Sequence, residues 1–467
     1  MGVKINILYS TFLTLSNYVF GFLVYPYVTR VLGVDNFGKV DFVINVVVFV
    51  TLFASFGISM FGIREVAKAR NNKESLNNCF SSLLLLNIVY TILTLILYFI
   101  GIVCVERLSD LKLLFIIGSL HVISSAFLIE WLYRGLEDFK TITIRNLVVK
   151  VIYVVGVFLL VKDKGDYVVY YILTISITVL NALVNFYSAR RLVRFSLRHV
   201  SFKKYIKNSV SFGSYTILTS MYTTFNVIFL GFVSNNEQVG LYAVALKLYT
   251  IILSLYTAFT SVMLPRGTSL VVEQKIEEFN GLLNKSFEAL YTISFPIIIV
   301  CVIWSSEIVS IIAGKEYYGS ALLMQIIMPL VFVVGLAQIF AYQILIPFSK
   351  DKKILQASII GSLVGLTLNI LLVQKLGSVG TSIVLVCTEC SVTLFYLIEI
   401  LKIKNIKIDI FALLKHVVCC LPYIVICLFF KQVESHAYLN IIIGLMCCLM
   451  YFIISQLFIV KNSLLKK

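Results

Sequence analysis

His121, Lys247 and Glu389 are ionisable side chains that fall inside long apolar stretches of this sequence. A charge at the centre of a bilayer costs ~2.5–3.5 kcal/mol on insertion scales, so each of the three asks for a reason. Lys247 is a cation that can meet an anionic headgroup, above all a diphosphate, whose charge cannot enter hydrocarbon unpaired. Arg30 and Arg64, at the ends of neighbouring apolar stretches, are candidates for the same headgroup. Glu389 and His121 suit ion or proton coupling, because a carboxylate binds cations and imidazole titrates near neutrality. Each has a plainer structural reading: Lys247 and Glu389 paired with each other, the arginines as interfacial anchors, and His121 as a helix-to-helix hydrogen bond. Asp41, Glu130 and Glu288 stand near the ends of their stretches.

Polar residues also form stripes. Ser211, Tyr215, Thr219, Tyr222 and Asn226 recur at steps of four, four, three and four, which is one face of a helix. Ser10, Thr14, Asn17, Gly21 and Tyr25 repeat the pattern near the N-terminus. Such stripes in lipid are either glue between helices or the wall of a wet cavity. Asn17, Tyr215, Tyr222 and Asn226 are the candidate wall residues.

The elements that must carry these groups are apolar helices. The 467 residues are 60% hydrophobic and only 13% charged, with a mean hydropathy of +0.98. A soluble chain carries about a quarter charged residues. In lipid only helices or closed barrels satisfy their own backbone, and a spanning helix needs about 20 apolar residues. The pattern predicts an all-α polytopic membrane protein with about fourteen spans: 7–28, 40–61, 80–105, 113–133, 147–161, 167–187, 209–233, 240–264, 287–304, 321–348, 354–373, 378–400, 411–430 and 438–460. The N-terminus, the even-numbered gaps and the C-terminus hold roughly three times the Lys and Arg of the odd-numbered gaps. Both termini are therefore expected in the cytoplasm, and the net charge of +16 reads as topology, not as a nucleic-acid footprint. The richest segment, Arg190 to Lys207, is either a topology anchor or a site for anionic lipid headgroups. No small-residue cleavage site follows the first span, so it is expected to be retained and not removed as a signal peptide. Cys387 and Cys390 form a CxxC inside a span, where cysteine packs as a small apolar residue; no histidine pattern suggests zinc.

The chain also echoes itself. Gly38 and Arg64 are 26 residues apart, as are Gly240 and Arg266, a shift of 202. Asp138 and Lys140 match Asp351 and Lys353 at a shift of 213, and Gly165 matches Gly377 at 212. Spans 1–6 and 7–12 thus read as two parallel copies of a six-helix bundle, 1–195 and 196–402, with two further helices in 403–467. Parallel repeats suit transporters with the site between the copies; ancient duplication without present meaning is the alternative.

The run Glu130-Trp131-Leu132-Tyr133-Arg134-Gly135-Leu136-Glu137-Asp138-Phe139-Lys140, followed by Ile144-Arg145-Asn146, resembles the fourth-to-fifth-helix loop of bacterial polysaccharide flippases, the Wzx-type translocases of the multidrug/oligosaccharidyl-lipid/polysaccharide exporter superfamily. Pro26 to Gly33 with Phe37-Gly38, Phe56-Gly57-Ile58 with Arg64 to Lys68, and Asn369 to Gly377 with Gly380 are similar to other helix ends of that family. The resemblance extends to about Ile400. It implies two six-helix bundles around a central cavity plus two added helices. It also implies undecaprenyl-diphosphate-linked oligosaccharide turned from inner to outer leaflet of the bacterial cytoplasmic membrane, by alternating access coupled to an H+ or Na+ gradient. Membrane lipids, a polysaccharide polymerase and glycosyltransferases are the partners it implies, with no cofactor, no metal and no catalytic residue. A drug antiporter of the same superfamily is the next reading. A membrane polymerase is disfavoured because the outer gaps are short and carry few charges.

Overall fold

A computed structural model describes residues 3–196, 200–201, 203–403, 406, 410–433 and 437–456. Among them every regular element is a helix. The chain divides into two compact units, residues 1–240 and 241–467.

The first unit holds α1 (Val3–Ser55), α2 (Ile58–Ala69), α3 (Lys73–Cys104), α4 (Glu106–Ser109), α5 (Lys112–Phe127), α6 (Glu130–Gly135), α7 (Phe139–Leu160), α8 (Tyr167–Ala189), α9 (Lys203–Thr223) and α10 (Phe225–Val233). Helix α11 (Asn236–Val272) begins in it and runs into the second unit. The second continues with α12 (Ile276–Ile303), α13 (Ser305–Ile312), α14 (Ser320–Ile327), α15 (Leu330–Gln338), α16 (Asp351–Leu368), α17 (Gln374–Leu401), α18 (Ile410–Cys419), α19 (Leu421–Gln432) and α20 (Ala437–Ile454).

The side chains are sorted for lipid. Helix α3 buries Asn87, Thr91 and Thr94, yet leaves Leu97 71% and Val103 76% exposed. A helix that hides its polar face and shows its apolar one is solvated by hydrocarbon, with small polar residues at helix contacts. Among the described residues nine helices are long and apolar enough to cross a membrane, or ten if the bent pair α9–α10 (53°) is one span. Two of the nine, Val19–Ala69 and Asp351–Leu401, run 51 residues each; the second contains two expected spans, and the first contains one together with the end of another. Each would be about 76 Å long if straight, against a hydrocarbon core of about 30 Å. The expected turns between spans are therefore not loops. In α1 the break is Gly33 (φ 72°, ψ 171°), and in α17 it is Gly377 (φ 53°, ψ −131°); only glycine takes such angles without strain.

Other boundaries also shift. The expected second span, 40–61, is cut at Phe56–Gly57, where φ is 27° and 80°. The short fifth span, expected at 147–161, is a full helix of 22 residues because Asp138 caps it: its carboxylate accepts from Thr141 N at 3.2 Å. Helix α3 is capped likewise by Asn72, whose Oδ1 accepts from Glu74 N and Ser75 N at 3.0 Å. The expected tenth span is three pieces, α14, α15 and a π-helical turn Ile339–Leu345, with Pro329 lacking the N–H that would join the first two.

Within the first unit, Gly38 and Gly240 meet. A Cβ on Gly38 would strike Asn236 O and lie 2.8 Å from Gly240 N; one on Gly240 would strike Val34 O. Residues 34 and 236, like 38 and 240, differ by 202, the shift seen in the sequence.

Candidate functional site

A cavity of about 610 Å³ opens in the first unit between α1, α2, α3, α5, α6 and α9. Its polar lining includes Ser55, Ser59, Arg64, Asn87, Ser125, Glu130 and Arg134, and its apolar lining includes Met60, Trp131 and Phe212. Two of the three positions with charged lining, 130 and 134, come from the Glu-Trp signature, and the local fold explains that signature residue by residue. Helix α6 starts from Ile129 in the left-handed region (φ 35°). Gly135 lets α6 close on α2, since a Cβ there would sit 2.6 Å from Val66 Cβ. Gly62 does the same beneath the indole of Trp131, at 3.2 Å. Glu137 turns the chain (φ 62°) and pairs with Arg70 at 2.6 Å. Asp138 then starts α7.

Glu130 lies between two arginines. Its Oε2 accepts from Arg134 Nη2 at 3.1 Å, and its Oε1 is 3.5 Å from Arg145 Nη2. Arg134 is 45% exposed and faces the cavity; Arg145, on α7, is 5% exposed behind Glu130. Arg145 Nε donates to Asn181 Oδ1 on α8 at 2.9 Å, while its Nη1 has no hydrogen-bond partner. The indole N–H of Trp131 and Oδ1 of Asn87 are also buried without partners at the cavity wall. Also in the lining, Arg64 Nε is 3.3 Å from Glu65 Oε1, which also holds Lys68 Nζ at 2.9 Å, and the Arg64 guanidinium lies over the Phe212 ring at 5.6 Å. The lining therefore combines two reachable guanidiniums with an aromatic face and hydroxyls, a set that can bind a phosphate and sugar hydroxyls.

Of the candidate headgroup residues, Arg64 lines this cavity; Arg30 is exposed on α1 and does not line it. Lys247 is half-buried on α11 and Glu389 half-buried on α17, both in the second unit. His121 is half-buried on α5, two turns from the cavity residue Leu128. Asn226 is fully buried on α10 and Tyr215 half-buried on α9. The side chains of Asn17 and Tyr222 lie outside the described residues. Part of the basic segment lies across the start of α3: Arg194 N donates to Asn77 Oδ1 at 2.8 Å, Ser196 N to Ser81 Oγ at 3.0 Å and Ser201 N to Ser82 Oγ at 3.1 Å.

Sequence reasoning missed Arg145 and His416. Arg145 stood inside the signature, and an arginine nearly two turns into a capped helix was its signal. His416, on α18, is 3% exposed; its Nδ1 donates to Ala412 O at 2.8 Å, and its Nε2 is 3.2 Å from Thr292 Oγ1 on α12. Nothing in its surroundings along the chain marked it.

Long inside-out helices, a repeated segment and a charged cavity walled by helix ends define a multi-pass membrane protein with a transporter fold. A family model described as polysaccharide biosynthesis protein matches residues 3–271, more than half the chain, and the chain belongs to that family. A Shigella dysenteriae protein named "Putative O-antigen transporter" is 28% identical over 406 residues, covering 85% of this chain and 99% of the relative. A protein of the same name from Escherichia coli (strain K12) is 23% identical over 402 residues, covering 84% and 95%. The fold is similar to that of the lipid II flippase MurJ in its inward closed conformation (TM-score 0.78, 14% identity, 97% of this chain and 98% of that one). It is also similar to an inward-facing multidrug resistance transporter of the MATE family (TM-score 0.61, 14% identity, 84% and 98%).

Proposed function

We propose that the protein is a flippase that turns undecaprenyl-diphosphate-linked oligosaccharide repeat units from the inner to the outer leaflet of a bacterial cytoplasmic membrane, for surface polysaccharide synthesis. The observation that carries this reading is the cavity that Glu130, Trp131 and Arg134 of the family signature line together with Arg64. The sugar is too polar to cross hydrocarbon alone, since each unpaired hydroxyl costs on the order of kcal/mol there. A wall of serines, asparagine and guanidiniums replaces its water, and the prenyl tail stays in lipid. No bond need be made or broken, so the function needs no enzyme chemistry. The names of the two curated relatives support the substrate class.

In this reading both termini are cytoplasmic, and helix α6, which carries Arg134, lies on the cytoplasmic side. Bundles 1–195 and 196–402, with 403–467 appended, rock about a central pathway walled in part by Asn17, Tyr215, Tyr222 and Asn226. Arg30, Arg64 and Lys247 receive the diphosphate. Glu389 and His121 couple the cycle to H+ or Na+. Membrane lipids surround the protein, and glycosyltransferases and a polymerase work before and after it. A drug antiporter of the same superfamily is the second reading, supported by the likeness to the MATE transporter, whose TM-score is the lower of the two.

The test is complementation of a flippase-deficient bacterium, scored by surface glycan. Restored display is expected from the wild-type chain, and loss of display at unchanged membrane level from Lys247→Ala. Normal display by Lys247→Ala would remove that residue from the pathway, and failure of every wild-type complementation across glycan types would favour the antiporter. Collapse of both the proton and the sodium gradient is expected to stop translocation in vesicles; undiminished flipping would reject coupling through Glu389 and His121.

A further inference from the structure

We propose that Glu130 is a built-in counter-anion: its carboxylate occupies, between Arg134 and Arg145, the place that a phosphate or diphosphate group takes when a ligand enters the cavity. The inference rests on the flippase reading for the identity of that ligand and on geometry for the exchange.

Each oxygen of Glu130 serves a different arginine, at 3.1 Å and 3.5 Å. Both oxygens are thus engaged, yet two buried donors nearby stay unserved: Arg145 Nη1 and the Trp131 indole N–H. A diphosphate presents more acceptor oxygens than a carboxylate and can reach more of these donors at once. Arg145, only 5% exposed, cannot be left without an anion, because an uncompensated buried charge is strongly unfavourable. Glu130 can therefore leave only when another anion arrives, and the ligand can settle only when Glu130 yields. Around the cavity, Arg64, Lys68, Arg134 and Arg145 face Glu65 and Glu130, an excess of two positive charges. The carboxylate thereby keeps the empty cavity from being an open anion trap and makes the bound state reversible, which a carrier needs and a tight receptor does not.

The sequence offers a direct probe. It has two tryptophans, Trp131 and Trp304, so Trp304→Phe leaves Trp131 as the reporter at the cavity wall. The full-length Trp304→Phe protein is titrated with inorganic diphosphate in detergent, following indole emission. A saturable change is expected, and Glu130→Gln in that background should bind about tenfold tighter, about 1.4 kcal/mol. Adding Arg145→Gln should erase that gain. Unchanged or weaker binding by Glu130→Gln overturns the exchange. Should Glu130→Gln be unstable alone, diphosphate must raise its melting temperature more than that of the parent; an equal or smaller rise also overturns it.

Lipid sources are separated in phosphatidylcholine nanodiscs doped with undecaprenyl diphosphate or with phosphatidylglycerol. A response to undecaprenyl diphosphate alone assigns the site to the carried lipid. A response to both assigns it to lipid phosphate in general, and a response to neither overturns it. Glycan display without any diphosphate response would sink the exchange and leave transport standing. A diphosphate response without display in any complemented strain would do the reverse.

Discussion

Glu130, Arg134 and Arg145 of the first unit correspond, at the shift of 213 that aligns Asp138 with Asp351, to Gln343, Pro347 and Ser358 of the second. The first set is two cations around a carboxylate beside a polar cavity. The second is neutral: Gln343 is 2% exposed with neither amide atom partnered, and the Ser358 hydroxyl donates back to Ile354 O at 3.1 Å in its own helix. The nearby hollow of about 340 Å³ is lined by Phe287, Tyr291, Phe332, Phe340 and Leu397. What the copies share is the restart of a helix, with a left-handed residue at Glu137 or Ser349 just before it. The helix restart is common to both segments, whereas the carboxylate between two guanidiniums occurs at these positions in the first alone.

Five substitutions can break or sharpen that contrast. Arg145→Leu strips Glu130 of its buried partner and Asn181 of its bond, and should destabilise the purified protein by about 3 kcal/mol or more. Ser358→Ala at the matching position should cost under about 1 kcal/mol. Thermal melting in detergent measures both, and equal losses would erase the distinction between copies. Gly135→Ala drives a methyl into Val66 and should cost about 1–3 kcal/mol, read as reduced membrane level and melting temperature, whereas Gly281→Ala meets nothing within 4 Å and should be silent. The smallest effect is expected from Gln343→Leu, near neutral or stabilising because no hydrogen bond is lost. A large loss there would mean that the second copy depends on its amide after all.

How much of this could be read from residues alone varies with distance along the chain. Composition and hydropathy carried the all-helical membrane fold, because burial in lipid is a local, additive preference. Asp138 as a cap and Gly135 as a close approach are local too, and the signature contained both. The joining of expected spans through Gly33 and Gly377 was hidden, since hydropathy reports where a helix leaves the apolar core and not whether its backbone resumes without a loop. The pairing of Arg145 with Asn181 and of His416 with Thr292 spans 36 and 124 residues. Such contacts exist only after packing, and neither arginine nor histidine type reveals them. Arg30 and Arg64 were read together from chain position, and only Arg64 is at the cavity.

The seam at Gly38 and Gly240 limits how the chain can vary there. Most substitutions have a compensating partner, because a larger side chain can be matched by a smaller neighbour. Here the obstacle to any side chain is main chain: Asn236 O and Gly240 N on one side, Val34 O on the other. Backbone cannot shrink, so a change at either glycine has no second-site rescue at its counterpart. In a saturation screen these two sites should therefore be the pair of positions that tolerate least and rescue each other never.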